Sequence, residues 1–505
     1  MTVIQEELLL ACELAAKTVY LIDDQTAAHS YELPNGEGSI FLKREDASKI
    51  RSYKWRGAYN KLSACVGAGN RGPFVTTSAG NHAQGVALAA AALGVQATVF
   101  MPRSTPDLKQ NAVRRHGGDF VDVRLVGDSF EQALAAAMAF ASESNATILS
   151  AFDDLHVIAG QSTVAAELLR QVPGVEVIFV PVGGGGLASG ISFLMKHKAP
   201  HVKVIGVEVR GQDSMSQSIR EARQLSLGKV DRFCDGTAVA TPGNLTWEVC
   251  RECLADTVVV SNEQVCGAIQ ALWEEERLVP EPSGAIALAG LLQASRDGRV
   301  DPHSQVCVAI VSGGNVDFRT LPMIVQRSQL ALATRRFFRF EIEERNGSLI
   351  GLLDQFVEGI NIVDFRYGKT GDESAAPVLG LSGSTAQFEP FLERLRVAGQ
   401  SFEEVTENQA TLYRIIAFRP DLTQHPCFLH IDFPDRPGAL RELMREVSSL
   451  ASICYFNFND TGQAEGHALI GFDFARPSDR EVLLKVVEDK QFAYADVDVS
   501  SLMGG

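Results

Sequence analysis

From Ser39 to about Phe318 the sequence alternates short apolar runs with longer stretches of small, helix-forming residues. This alternation constrains the fold more than any other feature of the chain. Phe74–Thr77, Ala97–Met101, Phe120–Val126, Val177–Val182, Val204–Val209 and Val306–Val311 read as strands. Asn81–Leu93, Pro106–His116, Ser129–Glu143 and His156–Val172 read as helices between them. Strand and helix in alternation imply an α/β fold, with parallel sheets covered by helices on both faces. At 505 residues the chain is long enough for about three domains with sizeable cores. Hydrophobic residues at 46% and charged residues at 21% exclude a mostly disordered chain. Near Gln326–Arg336 the pattern changes to a polar, basic connector without a strand signal, which reads as a linker.

Beyond the linker the sequence repeats itself at an offset of 91 residues. Arg345 matches Arg436, Gly347 matches Gly438, Leu349 matches Leu440, Ile362 matches Ile453 and Phe365 matches Phe456. The pair Thr370-Gly371 matches Thr461-Gly462. Each copy reads as a small βαββαβ-like unit whose first helix opens at the glycine. The copies span 337–419 and 427–500 and split near Asp421–Pro426, after a first part covering 1–325.

A net charge of −16 argues against wrapping nucleic acid or binding an anionic membrane surface. Met1–Asp23 carries Glu6, Glu7 and Glu13 with no cationic start, unlike a secretory or transit peptide. No run of about 18 uncharged apolar residues offers a membrane span. Nine scattered cysteines form no disulfide framework and point to a reducing, cytoplasmic setting. Cys250 and Cys253 read as two positions on one helical face rather than a metal or redox pair.

Four stretches carry candidate chemistry. In Ser52-Tyr53-Lys54-Trp55-Arg56-Gly57-Ala58 a lysine stands between aromatics at the start of a helical segment. A desolvated lysine can form a Schiff base or act as a general base; a snorkelling surface lysine is the alternative. Ser78-Ala79-Gly80-Asn81-His82 follows the strand Phe74–Thr77, and small residues there open a helix N-terminus to an anion. Asn81 can cap that helix or donate to a ligand oxygen. Gly183-Gly184-Gly185-Gly186-Leu187 follows another strand and forms a nest of successive N–H groups suited to a phosphate. It lacks the lysine of a nucleotide-triphosphate loop. The last stretch, Ser312-Gly313-Gly314-Asn315, ends a strand with a hydroxyl that can hydrogen-bond a heterocyclic nitrogen. An amine, a carboxylate-sized loop, a phosphate nest and a polar ring anchor together fit pyridoxal 5'-phosphate.

With these stretches in this order the sequence resembles the biosynthetic threonine deaminases (threonine ammonia-lyases). That family has a two-lobed, tryptophan-synthase-β-like catalytic domain of pyridoxal-phosphate fold type II. The resemblance extends over Lys43-Arg44-Glu45-Asp46, Asp153-Asp154, Ile158-Ala159-Gly160-Gln161 and Glu281-Pro282-Ser283-Gly284-Ala285. It implies that Lys54 carries the cofactor and that Gly183, Gly184, Gly185, Gly186 and Leu187 hold its phosphate. It further implies that Asn81 bonds the phenolic oxygen, Ser312 bonds the pyridine nitrogen, and Ser78, Ala79, Gly80, Asn81 and His82 receive the substrate carboxylate. Tyr53 and Trp55 replace the family's usual Phe and Leu.

The implied reaction is β-elimination from threonine, giving 2-oxobutanoate and ammonia, the first committed step of isoleucine biosynthesis. Serine racemases and catabolic dehydratases resemble residues 1–325 equally in kind, and a non-catalytic amino-acid sensor is a reading of another class. Some relatives place a divalent cation on a Glu followed six residues later by an Asp. Here Glu208 is followed at that spacing by Ser214, with Asp213 one place early, so no metal is expected. The loops Glu344–Leu349 and Pro434–Leu440 resemble those of ACT-like regulatory domains. The resemblance implies two such modules, isoleucine and valine as effectors, and a homotetramer; a purely structural dimerisation role is the alternative.

Overall fold

The computed structural model describes residues 3–33, 36–331, 335–343, 351–352, 355–357, 360–366, 374–406, 408, 423–434, 450–459 and 465–499. It divides into two compact units, Met1–Phe318 and Arg319–Gly505.

The first unit begins with α1 (Val3–Thr18), β1 (Ala28–Glu32), β2 (Ser39–Arg44), α2 (Lys54–Gly67), β3 (Phe74–Thr77), α3 (Asn81–Leu93) and β4 (Ala97–Met101). It continues with α4 (Asp107–Gly117), β5 (Val121–Leu125), α5 (Phe130–Ser144), β6 (Thr147–Ile148), α6 (Leu155–Gln171), β7 (Val177–Pro181) and α7 (Gly186–Lys198). It closes with β8 (Lys203–Val209), α8 (Ser214–Arg220), α9 (Asn244–Cys253), β9 (Asp256–Val260), α10 (Asn262–Glu276), α11 (Pro282–Arg296) and β10 (Cys307–Val311).

Two sheets result. One has the order β1-β2-β10-β7-β8-β9 and is parallel except for β1, which runs antiparallel to β2. The other is a parallel sheet of order β5-β4-β3-β6. Strands β4, β7 and β10 are buried at every residue, as expected where helices cover both faces. Helices α2, α6 and α7 approach closely through glycine. A Cβ on Gly160 would stand 2.5 Å from the Arg56 carbonyl oxygen, and one on Gly190 2.6 Å from that of Ile158.

The sequence reading did not include β1, β2, β6 or β9. Strand β2 carries Lys43 as its next-to-last residue, a residue type expected in water. Here Lys43 is fully buried and pairs with Glu167. Arg56, also fully buried, joins the same network through Glu45 (2.8 Å) and Glu167 (2.6 Å). Two cations and two anions therefore neutralise one another at the foot of α2, which fixes the turn that begins with Lys54.

In the second unit, α12 (Leu321–Ala331) and β11 (Arg335–Phe340) take up most of the Gln326–Arg336 stretch. That stretch is thus regular structure at both ends rather than a strand-free connector. The strand tolerates its arginines because Arg336 lies over the Phe338 and Phe388 rings and pairs with Glu404. There follow β12 (Ile342–Glu343), β13 (Asn361–Arg366), β14 (Ser374–Ala375), β15 (Val378–Ser382), α13 (Thr385–Val397) and β16 (Phe402–Glu404). The second copy contains β17 (Pro426–Pro434), β18 (Ser452–Asn459), β19 (Glu465–Asp473), α14 (Asp479–Asp489) and β20 (Ala493–Asp496).

The sheet orders β13-β15-β11-β16 and β18-β19-β17-β20 are the same order twice. So is the register: Phe338 pairs with Leu379, and Leu429 with Ile470, each 91 residues later. Both copies shift register at one equivalent place, between Ile362 and Asp364 and between Ile453 and Tyr455. From the helix onward the offset is 92, since Phe391 and Leu395 of α13 fill the place of Leu483 and Val487 of α14. The loops 344–349 and 435–440, with Gly347 and Gly438, and the two Thr-Gly turns lie outside the described residues. Among the described residues, no helix is long and apolar enough to cross a membrane.

Candidate active site

Lys54 is the first residue of α2. The segment before it is laced to the end of β10: Ser52 bridges Gly313, the Tyr53 N–H donates to the Ser312 carbonyl (3.2 Å), and the Gly314 N–H donates to that of Arg51 (2.9 Å). The partly buried Lys54 Nζ donates to the Ala151 carbonyl at 3.1 Å and lies 5.1 Å from the Tyr53 ring centroid.

The next residue along, Phe152, supports the glycine nest. A Cβ on Gly184 would sit 2.4 Å from the Phe152 ring, and one on Gly183 2.8 Å from Thr237 Cα. Gly185 has φ +95°, a left-handed conformation that L side chains rarely adopt. From behind, Thr246 Oγ1 donates to the Gly184 carbonyl at 2.6 Å. The helix α7 begins at Gly186, and the first N–H groups of a helix have no intrahelical partners.

Ser312 is buried, and its Oγ donates to the Ser283 carbonyl at 3.2 Å. Ser283 Oγ lies 3.4 Å from Thr237 Oγ1, and Thr237 stands against Gly183. The contacts form a closed circuit from Lys54 through Ala151-Phe152, the nest, Thr237, Ser283 and Ser312 back to Tyr53. The separate sequence motifs are thus brought to one place.

The turn before α3 shows that Asn81 is not the cap of that helix. Its cap position is Gly80, without a side-chain cap, and Ser78 Oγ accepts instead from the N–H groups of Gly80 (3.2 Å) and Ala83 (3.3 Å). Asn81 is released from capping. Its Nδ2 donates to Glu281 Oε1 and its Oδ1 accepts from Asn315 Nδ2, both at 2.7 Å. His82 is buried with Nε2 3.2 Å from the Leu149 carbonyl. Burial, with the nearby Lys54 charge, pushes it down to about 3, so the ring is neutral. Its side chain is held in the interior, unlike the rest of the Ser78–Asn81 loop.

Glu281 is a site residue to which the sequence reading gave no role. It is buried, and its N–H donates to the Gly313 carbonyl at 3.2 Å. Burial, reinforced by Asp235, raises its carboxyl to about 7 against the Asn81 hydrogen bond. The sequence signalled it only as part of the Glu281–Ala285 stretch that carries the family resemblance, an acid directly before Pro282 at a helix start. With Asn81 and Asn315 it ties the β3–α3 turn to the end of β10.

Glu208 spends both oxygens on the start of α8, Oε1 accepting from Met215 N–H (2.9 Å) and Oε2 from Ser216 N–H (2.6 Å). Asp213 accepts from Gly211 N–H and from Gln217. In α9 the Cys250 Sγ lies 3.3 Å from Ser189 Oγ, and burial raises Cys250 and Cys253 to about 12 and about 11. Both stay thiols at neutral pH, as a structural pair would.

Residues 25–313 match the family described as pyridoxal-phosphate dependent enzyme, and residues 423–503 match the C-terminal regulatory domain of threonine dehydratase. The chain is 36% identical over 440 residues to L-threonine dehydratase biosynthetic IlvA of Burkholderia multivorans, covering 86% of each. It is 33% identical to the Escherichia coli protein of that name, over 86% of this chain and 84% of the other. Among solved structures it resembles the processed form of threonine deaminase isoform 2 from Solanum lycopersicum. That match has TM-score 0.60 and 36% identity, over 64% of this chain and 89% of the other. It also resembles maize serine racemase, with TM-score 0.58 and 31% identity, over 62% of this chain and 95% of the other.

Proposed function

This chain belongs to the pyridoxal-phosphate-dependent threonine dehydratase family, and we propose that Lys54 is the residue that holds its cofactor and moves the substrate proton. The reaction is deamination of L-threonine to 2-oxobutanoate and ammonia, with loss of the β-hydroxyl. The residues present fit the cofactor: a Cβ on Gly183, Gly184 or Gly185 would collide with Thr237, Phe152 or Met215, so only a bare backbone run fits here, and it leads into the N-terminus of α7, a place suited to a phosphate. Gly183, Gly184, Gly185, Gly186 and Leu187 would hold that phosphate, Asn81 the phenolic oxygen and Ser312 the ring nitrogen. When bound, the cofactor supplies a sink for the negative charge left by α-proton removal.

The other steps fall to the chain itself. Lys54 Nζ, once free, is the base for the α-proton. Ser78, Ala79 and Gly80 present their turn to the substrate carboxylate at the start of α3. Glu281 and Asn315 orient the Asn81 amide through its two 2.7 Å hydrogen bonds. Ser312, a neutral hydroxyl, supplies no fixed negative charge at the ring nitrogen and so favours expulsion of the β-hydroxyl over a long-lived charged state.

The observation that carries this reading is the closed circuit in which one amine and one glycine nest share the Ala151-Phe152 segment. Formation of 2-oxobutanoate from L-threonine by the pyridoxal-phosphate-loaded protein tests it, with and without isoleucine. Failure to form 2-oxobutanoate, or conversion of L-serine to D-serine as the dominant activity, would overturn it.

Residues 1–325 are read as the catalytic part, and 337–419 and 427–500 as two ACT-like modules that bind isoleucine and valine. The repeated register over β11–β16 and β17–β20 supports two modules, and the match over 423–503 supports regulation. A cytoplasmic homotetramer completes the reading.

A further inference from the structure

In the second regulatory copy, three side chains far along the sequence from the catalytic motifs have the composition and spacing of a metal-binding set. His430 and Asp432 are two residues apart on β17 and share one face of the sheet. Asp432 pairs directly across from His467 of β19. The alternate residues Leu429, Ile431, Ala468 and Ile470 pack with Leu483 and Val487 of α14. The two histidines and the aspartate therefore occupy the opposite face, on the two inner strands of the sheet.

Asp432 Oδ1 lies 2.6 Å from His467 Nδ1 and 3.3 Å from His430 Nε2, and the three donor atoms all fall within 4.8 Å of one another. The imidazole planes are inclined by only 12°, with centroids 5.7 Å apart. The side chains are 18%, 11% and 25% exposed in the order His430, Asp432, His467, enclosed enough to hold their rotamers and open enough to admit an ion.

We propose that His430, Asp432 and His467 form a binding site for a divalent transition-metal ion of the zinc class. Nitrogen and oxygen ligands bind such an ion at about 2.0–2.2 Å, so donors on one ion stand within roughly 4 Å of each other. The observed spread needs only small side-chain rotations to reach that. Two imidazoles select zinc, cobalt, nickel or copper over magnesium and calcium, which prefer all-oxygen ligands. One carboxylate offsets part of the ion's charge, and three protein donors leave a position for water. The bound ion ties β17 to β19 across the face that α14 does not cover. A carboxylate hydrogen-bonded between two imidazoles shares these contacts without an ion, and the test separates the two.

The full-length holoenzyme, freed of metals by a chelator, is titrated with Co²⁺. The expected result is saturation at one ion per chain with visible d–d bands, displacement by Zn²⁺, and no displacement by Mg²⁺ or Ca²⁺. His430→Gln and His467→Gln should each weaken binding by more than about tenfold, because even residues that only orient a metal's ligands are worth roughly 10–100-fold. Threonine deamination without effector should remain at the wild-type rate in both variants. X-ray absorption of the zinc-loaded wild type needs no variant and should show imidazole and oxygen donors. Absence of saturable binding, a sulfur shell at about 2.3 Å, or binding that folded variants leave unchanged would overturn the site.

Discussion

At the scale of single residues, Lys54 is the test with the largest expected effect. Lys54→Ala removes both the amine that holds the cofactor and the base for the α-proton, so threonine turnover should fall to background. The Arg56 network that anchors the start of α2 remains, and circular dichroism should be unchanged. A Lys54→Ala protein forming 2-oxobutanoate at a comparable rate would remove this lysine from the mechanism. Glu208 supports a prediction about stability rather than rate. Burial raises its carboxyl from the ordinary 4.5 to about 7. The folded chain then keeps a proton that the unfolded chain has already released, so the contribution is full below about pH 4.5 and is lost as pH rises to 7. Glu208→Gln should flatten the decline in unfolding free energy across that window by on the order of 1–3 kcal/mol. Equal slopes in urea denaturation of the two proteins would show that Glu208 does not hold its proton.

Elements decide how the nest is built. Gly184 has the Phe152 ring where its Cβ would be, so Gly184→Ala must displace either the nest or the ring, at about 1–3 kcal/mol. Titration of the cofactor-free protein with pyridoxal 5'-phosphate should show weaker binding in Gly184→Ala, partly restored by pairing it with Phe152→Leu. Unchanged cofactor affinity in Gly184→Ala would mean that the nest does not carry the phosphate. What the sequence disclosed about these elements followed their chemistry. Strands buried on both faces, such as β7 and β10, are continuous apolar runs and were visible as such. Strand β2 was not, because the partner that neutralises Lys43 is Glu167, over a hundred residues away. The glycine nest and Lys54 stood out as local motifs. Glu281 did not, since its role depends on Asn81, 200 residues distant, and that contact exists only once both sheets are folded. For the same reason the sequence left Asn81 between cap and ligand: Ser78 takes the capping bonds, and the Asn81 amide bonds Glu281 and Asn315, partners far away in the chain.

For the whole molecule, every residue assigned to the chemistry lies in the unit Met1–Phe318. A chain ending after Ala331 should therefore keep measurable deamination and lose inhibition by isoleucine, a coupling typically worth about 1–3 kcal/mol. Sedimentation must first show that it assembles, because a lost subunit interface would mimic a lost active site. Inhibition of a correctly assembled truncated enzyme would place the effector site in the catalytic unit. The shared register of the two regulatory copies also equips the chain with its own experimental control. Leu381 and Phe472 hold the same place in the two sheets and are equally buried, as are Phe338 and Leu429. Truncating either member of such a pair disturbs the same sheet position at a matched depth. If the isoleucine response changes for one and not for its twin, the difference measures how far the two copies divide the labour between them, with strand order and register held constant.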